Sequence, residues 1–411
     1  MTDRVPAVPD RPVPAVPAAP SVPAGPPAPG PAPVIAGQIE AARGASPVGP
    51  VQELQAWLRY LTSVGGSDLH LKAGAPPRVR VEGILRPIEG PVLTAEQTEA
   101  HVAGVIPSFR VKRFDEHGEV DFAYAVEGLG RFRAHVFRQR GSATLVFRRL
   151  TVGGQPFAEI GLPPVVKALS EEPRGLVLVT GPTGSGKTTT LAAMIEHINQ
   201  TRAVHIVTIE DPIEIIHPDK LASVAQREVG QDTDSFLAAI RAALRADPDV
   251  ILIGEMRDSE TVQAALRAAE TGHLVLSTLH TLDATETVNR VVDFFPSTEQ
   301  KQIRITLAAA LRGIVSQRLI VALNGGRVPA VEILVNTGRV AERIIDRDLT
   351  AEIPEVIRDG GYYGMQTFDQ SLLSLVKAGT VSIEEAMRAA SQPHDFQLML
   401  QQVGLVPAGT L

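Results

Sequence analysis

The chain has 411 residues, 44% of them hydrophobic, which is enough apolar content for two or more cores. It contains no cysteine, which excludes disulfides and any cysteine-ligated zinc or iron–sulfur site. With 39 basic and 46 acidic residues the formal net charge is −7, a poor match for a dedicated nucleic-acid binder.

Residues 1–33 hold 12 of the 32 prolines, mixed with Ala and Val and almost no charge. Such a stretch lacks backbone donors and large side chains, so a disordered Pro/Ala-rich leader is expected over 1–47. No apolar signal-peptide core follows Met1, and no apolar stretch approaches the ~20 residues of a membrane span; the expected location is the cytoplasm. An α+β domain is expected over 48–150. Leu54, Trp57, Leu58 and Leu61 put one apolar face on a helix near 51–62. Segments 78–82 and 130–137 alternate with the period of a strand, and 144–148 is a shorter run of the same kind. Pro156 and Pro163-Pro164 mark a linker over 151–165.

From about 166 to 335 the pattern changes. Apolar strand-like runs at 176–180, 205–209, 250–253 and 274–278 alternate with helix-like segments near 188–199, 233–246 and 259–271. Buried strands alternating with helices predict an α/β core with a largely parallel sheet covered on both faces. Residues 336–411 read as helices, including 340–345, 369–378 and 383–391.

The densest chemical signal is Gly181-Pro182-Thr183-Gly184-Ser185-Gly186-Lys187-Thr188, followed by Thr189. It fits the P-loop pattern G-x-x-x-x-G-K-[ST] and lies between a strand-like run and a helix-like run, the setting the motif requires. Glycines at 181, 184 and 186 let successive backbone N–H groups face phosphates. Lys187 adds a point charge, Thr188 offers a hydroxyl to Mg²⁺, and the following helix presents its positive end. Leu191, Met194, Ile195 and Ile198 keep that helix's apolar spacing. ATP and Mg²⁺ are the expected ligands.

A P-loop enzyme also needs carboxylates at the ends of neighbouring strands. Two clusters supply them: Thr208-Ile-Glu210-Asp211-Pro-Ile-Glu214, and an apolar run from Val250 that ends in Gly254-Glu255-Met-Arg257-Asp258. A single such acid is usually a solvated loop charge, but two clusters after one P-loop are not. His273 and His280 flank a further strand, where an imidazole can contact or sense a γ-phosphate.

In this order the segments resemble the Walker A, Asp-box, Walker B and His-box motifs of the secretion-type ATPase superfamily, and within it the retraction ATPases of type IV pili (PilT type). Gly66-Ser-Asp-Leu-His-Leu71, the segment 76–83 and Gly364-Met-Gln-Thr-Phe-Asp-Gln370 extend the likeness over roughly 50–395. The resemblance implies a RecA-like ATPase domain preceded by a smaller PAS-like α+β domain, with a helical C-terminal region. It implies that Glu214 is the base that positions the attacking water, that Glu255 is the Walker B acid beside the metal, and that His273 and His280 form the His-box pair. It also implies arginines reaching the nucleotide from the N-terminal domain, with Arg133, Arg140 and Arg148 as candidates. A homohexamer is implied, acting at the cytoplasmic face of the inner membrane on a platform protein of the pilus machine, in concert with an extension ATPase and without direct nucleic acid. The family's retraction signature runs close to Ala-Ile-Arg-Asn-Leu-Ile-Arg-Glu, whereas this chain reads Gly338-Arg-Val-Ala-Glu-Arg-Ile-Ile-Asp-Arg347. The departure leaves an accessory retraction paralogue open beside the main motor. A pilus-assembly or secretion ATPase, and a RecA-like DNA-dependent ATPase, are the remaining alternatives. The lack of cysteines and the net acidic charge weigh against them.

Overall fold

The computed structural model describes residues 49–407; the proline-rich leader lies outside them. Helix Pro50–Ser63 starts with proline, where no backbone donor is needed, and buries Leu54, Trp57, Leu58 and Leu61, the face marked by the sequence. Strands β1 (Asp68–Lys72), β2 (Arg78–Val81), β3 (Ile84–Pro87), β4 (Glu119–Val126), β5 (Gly130–Gln139) and β6 (Ser142–Arg149) form one antiparallel sheet in the order β3-β2-β1-β6-β5-β4. Phe132, Ala134 and Val136 of β5 point into the core, so their neighbours Arg131 and Arg133 face away from it. Two helices the sequence reading did not mark, Ala95–Val105 and Ser108–His117, complete this unit. The first is announced by a capping box, Thr94 with Gln97.

The remaining strands are β7 (Thr151–Val152), β8 (Gly175–Thr180), β9 (His205–Glu210), β10 (Ile215–Ile216), β11 (Ser223–Glu228), β12 (Val250–Ile253), β13 (Leu274–Leu279), β14 (Leu311–Val321) and β15 (Arg327–Val335). Seven of them make a sheet ordered β11-β9-β12-β13-β8-β14-β15, parallel throughout except for β15, which runs antiparallel to β14. Both faces are buried. Leu176 and Leu178 of β8 join one core with helices Phe236–Ala243, Ser259–Glu270, Ala284–Asp293 and Ser297–Ala310. Val177 and Val179 join the other, with helix Lys187–Thr201. The mixed α/β architecture expected from alternating apolar runs is therefore present. The helix read at 233–246 is shorter, because the Ser235 side chain caps it by accepting from Ala238 N.

The C-terminal region is helical. Gly338–Ile345 and Ile353–Asp359 pack on the first face, and Phe368–Lys377, Ile383–Ala389 and Pro393–Gln402 build a separate cluster against Ile320 and Ala330. The segment read as a linker is itself structured: β7 pairs in parallel with β10. Three polar contacts join the antiparallel unit to the α/β unit around residues 228–231. The Arg110 guanidinium donates to Gly230 O, Ala123 N donates to Gln231 Oε1 at 3.4 Å, and Arg131 lies 3.9 Å from Glu228.

Candidate nucleotide site

The P-loop joins β8 to helix Lys187–Thr201. Gly181, Gly184 and Gly186 have φ of 140°, 79° and 94°, which a side chain disfavours. A Cβ on Gly181 would collide with Gln317 O and Ser185 Oγ, and one on Gly186 would lie 2.7 Å from Gln317 Nε2. The loop is thus a bare backbone cradle pressed against β14. Thr190 Oγ1 donates to Gln317 Oε1 at 2.8 Å, and Thr180 Oγ1 donates to Ser316 Oγ at 2.9 Å, so β14 fixes both ends of the loop. Lys187 Nζ donates to Gly181 O at 2.8 Å and to Pro182 O at 3.0 Å, holding the ammonium inside the cradle. Burial lowers the Lys187 pKa, and the charge of Glu255 acts in the opposite sense.

A cavity of about 660 Å³ opens in front of the loop. Thr183, Gly184, Gly186, Lys187, Thr188 and Thr189 line one side, and Glu210, Asp211, Glu214, Glu255, Arg257 and His280 line another. Gly181, Pro182 and Ser185 do not line the cavity. Ser185 is buried, and its hydroxyl has no partner among the described residues. Four segments far apart in sequence therefore meet at one place, because they all follow the carboxyl ends of adjacent parallel strands.

The acids differ in their surroundings. Glu210 Oε1 accepts from Thr208 Oγ1 at 2.6 Å and from Gln226 Nε2 at 3.1 Å, and burial raises its pKa. Glu214 is exposed to the cavity, and its carboxylate has no partner among the described residues. Glu255 is paired with Arg257 and lies 3.5 Å from His280 Nε2. Thr278 Oγ1 donates to Gly254 O at 2.7 Å, tying the Glu255 turn to the strand that ends at His280. Thr188, Lys187 and Glu255 present the donor set that a triphosphate with a hard divalent cation requires.

Not every expected residue is here. His273 sits at the other end of β13 from His280, roughly 20 Å along the strand, where its Nδ1 bonds Ala268 O at 2.9 Å. Within one chain it does not reach this cavity. Of the arginines, Arg148 is spent on the buried Asp68, Nε to Oδ1 at 2.8 Å, and lowers that carboxyl's pKa against its burial. Arg140 occupies the β5–β6 turn with φ 51°. Neither lines the nucleotide cavity of its own chain. Arg133 is 3.4 Å from Asp121 and lines a second cavity of about 230 Å³ between the two units, together with Asp211, Pro212 and Glu228. Through this cavity Arg133 meets Asp211 of the Asp box. Sequence reading missed Gln317, Gln226, Leu319 and Arg327; the last two line the main cavity. No local motif points to them, since they arrive from β11, β14 and β15.

A P-loop, two acidic strand ends and a RecA-like parallel sheet define an ATPase of the P-loop class. Residues 157–388 match the family model for the type II/IV secretion system proteins, and the chain belongs to that family. It is 47% identical over 339 residues to the type IV pilus retraction ATPase PilT of Pseudomonas aeruginosa, covering 82% of this chain and 98% of that one. It is 41% identical over 350 residues to the type IV pilus ATPase PilU of the same organism, covering 85% and 91%. A crystal structure of the pilus retraction motor PilT with bound ADP superposes with a TM-score of 0.77 at 46% identity, covering 83% of this chain and 98% of that one. The chain is therefore a PilT-type secretion ATPase that uses nucleotide.

Proposed function

We infer that this protein hydrolyses Mg·ATP in a homohexameric ring and uses the energy to retract type IV pili. The observation that carries the chemistry is the convergence of Lys187, Glu214, Glu255 and His280 on one cavity in front of a backbone cradle. Relatives named as retraction and twitching proteins at 47% and 45% identity carry the biological role.

The proposed steps follow from the side chains. Backbone N–H groups of 184–188 and the Lys187 ammonium bind the β- and γ-phosphates. Thr188 and Glu255 would hold the metal, which would supply charge neutralisation at the phosphate oxygens. Glu214, whose carboxylate has no partner among the described residues and opens to the cavity, orients the attacking water and takes its proton. Glu210 is engaged by Thr208 and Gln226 and serves the architecture of the Asp box. His280, beside Glu255, contacts the γ-phosphate. Arg133 approaches from the N-terminal unit as the two units close. His273, Arg140 and Arg148 do not line this cavity, so any contact they make with nucleotide belongs to a neighbouring subunit.

Among the described residues no helix is long and apolar enough to cross a membrane. A cytoplasmic ring docked on the membrane-embedded platform of the pilus machine fits that observation. The test has two arms. Purified protein should show Mg²⁺-dependent ATPase activity that Lys187→Ala removes. A deletion strain should lose pilus retraction and regain it only with a catalytically intact copy. Normal retraction in the deletion strain would assign the chain instead to the accessory role, which the altered sequence of helix Gly338–Ile345 favours.

A further inference from the structure

The segment between the two units is short and tightly held at both ends. Leu150 N donates to Arg131 O at 3.0 Å, so Leu150 still belongs to the antiparallel sheet. The next residue, Thr151, already pairs with Ile215, and Val152 pairs with Ile216. Gly153 N donates to Ile216 O at 2.8 Å. A Cβ on Gly154 would collide with Ala192 O, so the linker backbone lies directly on the P-loop helix. β10 has no other strand beside it and begins at the residue after Glu214. On its other side a side chain holds it, and just before it Ile213 N donates to Glu228 Oε2 at 3.4 Å and the Glu214 backbone N–H donates to the Glu210 carboxylate. Gln226 Nε2 donates to Ile215 O at 2.9 Å, and Gln226 Oε1 accepts from His217 N at 2.8 Å.

We propose that the linker strand β7 is the positioning element for Glu214, with Gln226 as the opposing clamp, so that the attitude of the N-terminal unit is set directly at the Asp-box carboxylate. No slack residue separates the sheet that carries Arg133 from the strand pair that begins next to the base. A rotation of the N-terminal unit that brings Arg133 toward the phosphates therefore moves β10 and Glu214 in the same step. Gly153 and Gly154 let the chain turn along the P-loop helix, which acts as the fixed rail. The proposal rests on the reading of Glu214 as base.

Two variants test it in the full-length protein. Inserting Gly-Ser between Leu150 and Thr151 keeps every residue of both sheets and adds slack. It should lower kcat by about 10²-fold, the cost of a misplacement near 1 Å, while KM for ATP and ADP affinity stay within about twofold. Val152→Cys with Ile216→Cys should form a disulfide on oxidation, since paired strands hold opposite Cα atoms within bridging range and no other cysteine competes. That bridge should leave kcat near the unbridged value, because the pair travels as one piece, and it should not rescue the insertion. Turnover near wild type with the insertion, loss of turnover on bridging, or failure of the bridge to form each overturns the proposal. If the insertion variant does not fold by circular dichroism, Gly154→Ala, which lifts the linker off the helix, is read by the same split between kcat and KM. Glu214→Gln is measured alongside. Normal turnover there overturns the base assignment; a normal insertion variant beside an inactive Glu214→Gln overturns the linker role alone.

Discussion

Glu332 on β15 is 8% exposed, and burial raises its pKa from 4.5 to about 7. Its Oε1 accepts from Ala284 N at 2.9 Å, at the start of the helix that follows the His280 loop, and the charges of Asp283 and Asp369 add to the rise. A carboxyl that holds its proton more tightly when folded binds more protons in the native state between pH 4.5 and 7. Stability therefore falls as pH rises through that window, and the penalty is complete above pH 7. A rise of this size corresponds to about 3 kcal/mol, at 1.36 kcal/mol for each pKa unit. Glu332→Gln keeps the acceptor for Ala284 N, cannot ionise, and offers its amide N–H groups to the neighbouring carboxylates. The variant should match wild type near pH 4.5 and exceed it by up to about 3 kcal/mol at pH 8. Urea denaturation followed by circular dichroism at 222 nm across that range, under matched salt and protein concentration, measures the difference. Parallel curves for the two proteins, or a variant less stable at pH 8, would refute the argument.

Lys187→Ala should abolish turnover and weaken nucleotide binding, because the ammonium meets charge that grows during transfer; activity near wild type would remove the P-loop assignment. Glu214→Gln and Glu255→Gln should retain ATP binding while single-turnover hydrolysis falls by roughly 10²-fold or more, and a collapse of binding with a normal residual rate would contradict both roles. The three arginines should separate. Arg133→Ala should cut turnover while the thermal midpoint holds. Arg148→Ala should lower the midpoint because the buried Asp68 is left with Arg80 at 3.7 Å and Ser67 alone. Arg140→Ala should leave the folded monomer unchanged. Equal turnover in Arg133→Ala and wild type would rule out the closure of the N-terminal unit on the nucleotide.

What could be read from the sequence was local. The P-loop is spelled in consecutive residues because successive N–H groups must face one phosphate chain. The inward positions of β5 and the apolar face of helix Pro50–Ser63 were legible because burial there follows a simple period. β14 was not. Ser316 and Gln317 interrupt its apolar run, yet both are buried, because they bond Thr180 and Thr190 at the P-loop. The residues that make the strand functional are the ones that hide it. The histidines show the opposite failure. His273 and His280 are close in sequence, but the six-residue strand between them puts them at opposite ends of the sheet.

The same contrast explains how one chain can couple chemistry to movement. The phosphate cradle is braced from behind by β14 and from below by a long buried helix, so it has little freedom. The Asp box has a different construction. It hangs from β9, and its strand β10 is held by the linker residues Thr151, Val152 and Gly153 on one side and by Gln226 on the other. The cradle must keep its shape whichever nucleotide it holds, so rigidity there costs nothing in function. If Glu214 is the base, as proposed, it needs to be in place only when the N-terminal unit is closed. On the proposed reading, a base placed just before a short strand that is joined without slack to the N-terminal unit makes hydrolysis conditional on closure. A base fixed as firmly as the P-loop would hydrolyse ATP in every orientation and spend it without work.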